Sequence, residues 1–375
     1  MITVPKRILM TADTVGGVWT YALELARALG KQDIDVAIAT MGPEPSLAQR
    51  EEAAAIRNVD LFKSNYKLEW MENARVSVKA AGEWLLSLEK RLRPDVVHLN
   101  GYAHAALPWK SPKLVVGHSC LHSWWSAVRQ GEPPPEWQQY TTWVQRGLRA
   151  ADLVVAPSQA MLDALDEHYP GCIRTEARVI PNGLDVEAFS PALKQKFVFT
   201  AWRLWDDAKN VQTLGGVAWQ LPWPVCLAGE QRNDDSGAAL EVKENCYALG
   251  NLPGETLRSW YARASIYALP ARYEPFGLTV LEAALSGCAL VLGDIKSLRE
   301  NWKDVAVFVN PLDRLGWRDV LVTLIENETN RRRLGRAARE HALRFSSARM
   351  AEEYLAAYTD LVFRRQTEAR VACAS

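Results

Sequence analysis

The sequence predicts an α/β protein made of two doubly wound sheets in tandem. Three observations support this prediction. From Arg7 onwards, short apolar segments of strand length alternate with amphipathic helical segments, which is typical of parallel sheets covered by helices on both faces. The same alternation begins again after residue 190. A chain of 375 residues is also long enough for two such domains.

The first half predicts helices near Val18–Leu29, Arg75–Leu92 and Trp137–Ala150. In Arg75–Leu92 the apolar residues recur at helical spacing, and Pro94 follows the last of them. The predicted strands of this half are Arg7–Met10, Val36–Thr40, Val96–Asn100, Lys113–Ser119, Leu153–Ser158 and Ala177–Gly183.

The second half repeats the pattern, with helices at Glu255–Ala264 and Thr279–Gly287. Its predicted strands are Phe197–Leu204, Trp223–Glu230, Asn245–Leu252, Ser265–Ala271, Cys288–Asp294 and Val305–Pro311. We therefore expect domains at residues 1–190 and 191–347, and a final helix, 348–375, that can cross back to the first domain. Ligands bind such sheets at the carboxyl ends of the strands, so two sheets facing each other would enclose a cleft.

The composition and charge argue against a nucleic-acid-binding protein and against a membrane-spanning one. Acidic and basic residues balance to a formal charge of zero, whereas nucleic-acid-binding proteins usually carry a basic excess. The apolar runs are shorter than a membrane-spanning helix requires. The six cysteines form no CxxC pair and the start of the chain shows no signal peptide, so we expect reduced thiols in a cytoplasmic protein.

Two loops of the first half contain candidate binding residues. Gly16 and Gly17 open a helix after the first strand, where glycine amides favour a phosphate, although a tight turn explains them equally well. His118 ends a strand and could bind a sugar hydroxyl or cap the sheet. Trp124 and Trp125 lie in the loop that follows, and they could face an acceptor or fill a satellite core.

The second half contains charged candidates. Arg203 and Lys209 follow its first strand, and such a pair can bind a diphosphate, although exposed basic side chains are common. Further on, Glu274 precedes a helix that begins near Leu278, and we expect Glu274 to lie out in the cleft. Glu282 lies inside that helix. The first amides of the helix can hold a phosphate, so the two carboxylates suit different ends of one ligand better than the single glycosidic bond of a glycosidase.

Glu274 and Glu282, with seven residues between them, resemble the E-x7-E signature of retaining glycosyltransferases with the GT-B fold. The sequence is most similar to glycosyltransferase family 4, and the resemblance covers residues 7–345. The other matching motifs are TADTVGGV, VVHLNG, His118-Ser119, DLVVAPSQAM, VIPNGLD, Arg203 and Lys209 with Asn210, LAGE, LGNLPGETLRSWYARA and LPARYEPFGLTVLEA.

The resemblance implies a GT-B fold and a role for each matching residue. Arg203 and Lys209 would bind the donor diphosphate, assisted by the backbone of Phe276, Gly277, Leu278 and Thr279. Glu282 would bind the ribose, Glu274 the donor sugar, and His118 the transferring sugar. Gly16 and Gly17 would lie on the phosphate and acceptor side.

Two tryptophans depart from the family pattern. Trp202 stands where the family usually has glycine, and Trp19 lies just past the glycine pair, where it would face the acceptor together with Trp124 and Trp125. Asp33 and Asp35 match the Asp-x-Asp metal motif of the other glycosyltransferase fold, but they lie in a turn. Because basic side chains are available to neutralise phosphate, we expect neither a metal nor another cofactor.

We therefore interpret the protein as a cytoplasmic, metal-independent, retaining glycosyltransferase that moves a sugar from a nucleoside diphosphate to a sugar, lipid-linked or small-molecule acceptor. A sugar-nucleotide epimerase on the same fold and a non-catalytic sugar-nucleotide-binding subunit are the alternatives. The arginine-rich run Arg331–Arg344 could contact anionic lipid at the inner face of the membrane, or form the solvated face of a helix. The base, the sugar, the acceptor and the oligomeric state stay open.

Overall fold

A computed structural model describes residues 4–230 and 244–374, with the backbone alone for residues 369–374. The chain forms two compact units. The first contains residues 4–123, 131–183 and 347–374, and the second contains residues 124–130, 184–230 and 244–346. Each unit has a parallel sheet of its own.

Along residues 4–183, strands and helices follow one another with short connections, and all belong to the first unit except that the helix Leu121–Val128 continues into residues 124–130 of the second unit. They are β1 (Arg7–Asp13), α1 (Gly17–Gly30), β2 (Asp35–Met41), α2 (Leu47–Ala54), β3 (Val59–Phe62), α3 (Arg75–Leu92), β4 (Val96–Leu99), β5 (Lys113–Val116), α4 (Leu121–Val128), α5 (Gln138–Ala150), β6 (Leu153–Ala156), α6 (Gln159–His168) and β7 (Ala177–Val179). The strand order is β3-β2-β1-β4-β5-β6-β7, so the order reverses between β1 and β4.

The second unit repeats this alternation. Its elements are β8 (Gln195–Ala201), α7 (Gln212–Val217), β9 (Val225–Ala228), β10 (Cys246–Gly250), α8 (Gly254–Arg263), β11 (Ala264–Leu269), α9 (Leu278–Leu285), β12 (Ala289–Gly293), α10 (Lys296–Trp302), β13 (Ala306–Val309), α11 (Arg314–Glu326) and α12 (Glu328–Ala342). The order β10-β9-β8-β11-β12-β13 reverses between β8 and β11.

The last helix, α13 (Ser347–Ala374), belongs to the first unit. Its Met350, Tyr354, Tyr358 and Leu361 are buried in the core that β1 and α1 also form. Apolar side chains cover both faces of each sheet, and this burial is the main stabilising contribution. The predicted fold class, two doubly wound Rossmann-like α/β domains, is confirmed.

Arginines of helix α12 form bonds within the protein, and the described cysteine thiols are buried. In α12, Arg331 is buried and donates to the Leu324 carbonyl, while Arg332 pairs with Glu328. Cys120, Cys172, Cys226, Cys246 and Cys288 are free and buried, whereas the side chain of Cys373 lies outside the described residues. In the described part of the chain, every helix is too short or too polar to cross a bilayer.

Candidate functional site

In the second unit, the candidate donor residues lie at the point where the strand order reverses. β8 and β11 are paired in parallel, so the loops that follow them leave the same edge of the sheet. One loop contains Arg203 and Lys209, and the other contains Glu274. The Arg272 amide donates to the Ala208 carbonyl over 2.8 Å and so ties the two loops together. Ligands of open α/β sheets bind at such a position.

The centre of this group is a buried ion pair. Lys209 Nζ lies 2.8 Å from Glu274 Oε2, and the two side chains are 4% and 6% exposed. The same ammonium donates to the Tyr273 carbonyl over 3.3 Å and lies 4.2 Å from the centre of the Trp202 ring. Glu274 is therefore buried, not exposed in a cleft as the sequence suggested, because Lys209 compensates its charge.

Arg203 lies beside this pair. Its guanidinium packs 5.9 and 5.4 Å from the ring centres of Trp202 and Trp205, and it lies 3.5 Å from an Asp206 oxygen. Within the described residues, its Nε is buried without a hydrogen-bond partner. The guanidinium therefore keeps hydrogen-bonding capacity that a diphosphate could use.

α9 begins at Leu278 and ends at Leu285, within one or two residues of the prediction. Gly277 precedes it with φ of +93°, and its carbonyl accepts from the Val280 and Leu281 amides. Among the described residues, no hydrogen bond uses the Leu278 or Thr279 amide, which leaves both for an anion.

Phe276 differs from the prediction. Its amide points to Glu274 Oε1 over 3.4 Å, and its ring is buried in the core. This amide is therefore directed at the carboxylate and not left for a phosphate. Glu282 lies half-buried on α9. Burial, and next the Glu282 carboxylate, raise the pKa of the Tyr261 hydroxyl well above its ordinary value.

In the first unit, the candidate residues follow β1 and β5, the two strands that flank β4 in the sheet. Gly16 caps α1 with φ of +92° and Gly17 is the first residue of that helix, as the sequence predicts. His118 follows β5, and its Nε2 lies 2.8 Å from Asn100 Oδ1. Burial lowers the pKa of His118 to about 3. The imidazole is therefore neutral at physiological pH.

Three tryptophans were expected to face the acceptor. The structure buries one of them and places the other two on a helix. Trp19 is only 5% exposed, packs in the core and donates from Nε1 to Glu52 over 2.9 Å, so the prediction for Trp19 is wrong. Trp124 and Trp125 lie on helix α4 and not in a loop. Their rings meet edge to face at 6.0 Å, and both are partly exposed.

The aspartates that resemble a metal motif lie elsewhere. Asp33 is exposed in the turn before β2, and Asp35 pairs with Arg7 over 3.7 Å. Across residues 4–230 and 244–374, no group of three His, Cys, Asp or Glu side chains could hold a metal ion.

Sequence reasoning missed Asn100 and Gly229 as parts of these sites. Asn100 is hydrogen-bonded to His118, and the sequence signal for it was its place directly after β4, at the carboxyl edge of the sheet. Gly229 has φ of +128°, and a Cβ there would lie 1.7 Å from the Trp202 carbonyl oxygen. Only glycine allows the chain after β9 to approach the Trp202–Arg203 loop so closely.

Comparison with known proteins assigns this arrangement to a family. Residues 15–188 match the family model described as Glycosyltransferase Family 4, and residues 190–341 match Glycosyl transferases group 1. The D-inositol 3-phosphate glycosyltransferase of Nocardia farcinica is 33% identical, over 92% of this chain and 84% of that protein. The mannosylfructose-phosphate synthase of Agrobacterium fabrum is 25% identical, over 88% and 82%.

Solved structures show the same fold at low sequence identity. Sucrose-phosphate synthase from Thermosynechococcus elongatus superposes with a TM-score of 0.77 at 16% identity, covering 99% of this chain and 100% of that one. WaaG, a glycosyltransferase involved in lipopolysaccharide biosynthesis, gives a TM-score of 0.69 at 13% identity, covering 93% and 98%. Because both halves match consecutive family models and a relative at 33% identity spans most of the chain, this protein belongs to the glycosyltransferases of family 4.

Proposed function

We propose that this glycosyltransferase takes a hexose from a nucleoside diphosphate sugar and transfers it, with retention of configuration and without a metal, to an acceptor hydroxyl. The Lys209–Glu274 pair beside Arg203 supports the proposal most directly. It places an ammonium, a guanidinium and a carboxylate at the strand reversal of the second unit. A diphosphate joined to a sugar needs cations on one side and a hydroxyl acceptor on the other.

The cations stabilise the charge that develops on the departing diphosphate. The Lys209 ammonium is already held by Glu274 and the Tyr273 carbonyl, so little reorganisation accompanies the reaction. Arg203 and the Leu278 and Thr279 amides at the start of α9 add donors of the kind that bind phosphate. These groups replace the charge that a metal ion would otherwise supply.

The carboxylates bind the two ends of the donor. Glu274 Oε2 is used by Lys209, and within residues 4–230 and 244–374 Oε1 receives only the long Phe276 contact, so Oε1 can accept a hydroxyl of the donor sugar. Glu282 lies one turn inside α9 and accepts the ribose hydroxyls. In the first unit, His118 contacts the transferring sugar, and Gly16 and Gly17 lie on the acceptor side.

The names of two relatives support an acceptor class. One name specifies D-inositol 3-phosphate, and the other, mannosylfructose-phosphate synthase, specifies a phosphorylated disaccharide. We therefore propose a phosphorylated sugar or polyol as the acceptor, with Trp124 and Trp125 available for its apolar face.

The buried free thiols fit the reducing cytoplasm. Arg331 and Arg332 of the arginine-rich run Arg331–Arg344 are bonded within the protein. Fewer of its guanidinium groups are therefore available to contact anionic lipid.

The test is a panel of UDP-, GDP- and ADP-sugars combined with phosphorylated sugars and polyols. We expect release of a nucleoside diphosphate that depends on the acceptor, and NMR of the product should show the anomeric configuration of the donor. Conversion of the donor to an epimeric sugar nucleotide without release would contradict the proposal. So would donor binding with no turnover for any acceptor.

A further inference from the structure

A row of hydrogen-bonded side chains joins His118 to the last helix of the first unit. His118 Nε2 lies 2.8 Å from Asn100 Oδ1, and His98 Nε2 lies 3.0 Å from the same oxygen. On its other side, His98 Nδ1 lies 2.6 Å from the Tyr358 hydroxyl of α13. His98 and Tyr358 are fully buried, so solvent does not compete for these bonds.

The orientation of the Asn100 amide follows from its other neighbour. Its second terminal atom lies 2.7 Å from the Thr11 carbonyl oxygen of β1. A backbone carbonyl only accepts hydrogen bonds, so this atom is the Nδ2 donor. The Asn100 backbone amide also donates to Thr11 Oγ1 over 2.9 Å. Asn100 is thus held at both ends, and its Oδ1 faces the two histidines.

The fixed amide determines where both histidines carry their protons. Oδ1 can only accept, so His98 and His118 must each donate through an Nε2–H. The Tyr21 hydroxyl also lies 3.3 Å from His98 Nε2, and beside an Nε2–H it can only accept. His98 Nδ1 is then unprotonated and accepts from the Tyr358 hydroxyl. Burial lowers the pKa of both imidazoles to about 3, which excludes a second proton near neutral pH. His118 keeps an unprotonated Nδ1.

We propose that Asn100 is a positioning residue that holds His118 in the Nε2–H tautomer, so that His118 offers a ligand only an acceptor nitrogen, Nδ1. This inference rests on the proposed contact of His118 with the transferring sugar. His118 then receives a hydrogen bond from a sugar hydroxyl and does not act as a general acid. Among the described residues, the bond to Asn100 is the one hydrogen bond of its ring, so Nδ1 is available for that hydroxyl.

The tautomer can be observed without any substrate. Long-range 1H–15N correlation spectra of ring-labelled histidine distinguish protonated from unprotonated ring nitrogens. We expect His98 and His118 to show Nε2–H and unprotonated Nδ1 throughout pH 5.5–8, the tautomer expected of neutral histidines held by one acceptor oxygen. An Nδ1–H tautomer or an imidazolium at His118 would overturn the proposal.

Substitution of Asn100 connects the tautomer to the reaction. In Asn100→Leu the acceptor is lost, so the His118 signals should move towards a mixture of tautomers. With a working donor and acceptor, kcat should fall about tenfold or more, while the affinity for free nucleoside diphosphate stays unchanged. Unchanged ring signals, or unchanged kcat, would contradict the inference.

Two tyrosines of α13 provide a matched control. Tyr358→Phe removes the hydroxyl that donates to His98 and should shift the His98 Nδ1 resonance. Tyr354 is equally buried one turn earlier, with its ring 5.2 Å from that of His98, but the hydroxyl that bonds His98 Nδ1 belongs to Tyr358. Tyr354→Phe should therefore leave that resonance in place, and an equal shift would contradict the assignment. Absence of turnover in the unsubstituted protein would refute the proposed function, while its ring spectra would still test the tautomer.

Discussion

Lys209 and Glu274 form one buried ion pair, with Nζ and Oε2 2.8 Å apart. The sequence assigned the first to a diphosphate and the second to a sugar, as if they acted separately. The pairing of β8 with β11 brings their loops together. The ammonium of Lys209 and the carboxylate of Glu274 therefore neutralise each other. A change at either residue therefore alters the environment of both.

The first prediction concerns the stability of this pair. Lys209→Met leaves a buried carboxylate without its cation, and breaking such a pair typically costs about 3–5 kcal/mol. Adding Glu274→Gln removes the uncompensated charge, so the double variant should regain much of that loss. The measurement is a double-mutant cycle, in which calorimetry gives the melting temperatures of the unsubstituted protein, both single variants and the double variant. Additive decreases would show that the two residues do not interact.

The second prediction separates nucleotide binding from turnover. Glu282 accepts ribose hydroxyls in the ground and transition states alike, so Glu282→Gln should weaken binding of free nucleoside diphosphate about tenfold, or roughly 1.4 kcal/mol. Glu274→Gln should lower kcat at least about tenfold. Calorimetric titration with the nucleotide and a rate assay measure the two effects.

Glu326→Gln is the control for that comparison, because Glu326 is exposed on α11 in the same unit and should change neither quantity. Loss of nucleotide affinity in Glu274→Gln with normal affinity in Glu282→Gln would reverse the two assignments.

The third prediction concerns metal. If Lys209, Arg203 and the start of α9 neutralise the leaving diphosphate, EDTA should leave the rate of sugar transfer unchanged, and added Mg²⁺ or Mn²⁺ should not raise it. The measurement is acceptor-dependent release of nucleoside diphosphate by protein dialysed against chelator. Loss of activity in EDTA that Mn²⁺ restores would show that these cations are insufficient.

The sequence predicted elements well where local signals agree. Buried parallel strands such as β6 and β12 are continuous apolar runs, and Gly277 and Gly287 delimit α9. Helix α4 was interpreted as a loop, although its apolar residues Leu121, Trp124, Trp125 and Val128 recur at the spacing i, i+3, i+4 and i+7 of an amphipathic helix. That spacing was a helix signal in the sequence, and the interpretation as a loop overlooked it.

The site was predicted as a set of residues but not as a set of contacts. Strand ends marked His118, Arg203 and Glu274, because the carboxyl edge of a parallel sheet gathers its loops. The partner of each side chain depends on strand order and rotamers, which spacing does not specify. That is why Trp19 was placed at an acceptor, although its indole packs in the core and donates to Glu52.

The fourth prediction concerns pH. The pKa of His98 falls from 6.5 to about 3 on folding because the ring is buried. Below pH 6.5, His98 therefore binds a proton in the unfolded chain but stays neutral in the folded protein. The contribution of His98 to the free energy of unfolding is complete above pH 6.5 and is lost as the pH falls towards 3. Each such histidine lowers the free energy of unfolding by about 1.4 kcal/mol per pH unit in this range.

His98→Gln should reduce that dependence, since glutamine does not titrate and can still donate to Asn100. The measurement is the free energy of unfolding in urea between pH 6.5 and 5, for the variant and the unsubstituted protein. Equal slopes would show that His98 is not the group responsible.

The last prediction compares two glycines of the second unit, each in a left-handed conformation. Gly229 has φ of +128°, and a Cβ there would lie 1.7 Å from the Trp202 carbonyl oxygen, whereas Gly250 has φ of +69° and nothing within 4 Å of its Cβ position. Alanine at either position meets backbone strain of roughly 1–2 kcal/mol.

At Gly229 the added methyl group must also displace the Trp202–Arg203 backbone, which lies beside Lys209. Gly229→Ala should therefore cost more than about 3 kcal/mol in stability and weaken nucleoside diphosphate binding, while Gly250→Ala should show the strain alone and bind normally. Calorimetric melting and nucleotide titration of the two variants decide between them. Equal losses in both would mean that φ strain, and not the contact with Trp202, makes glycine necessary at position 229.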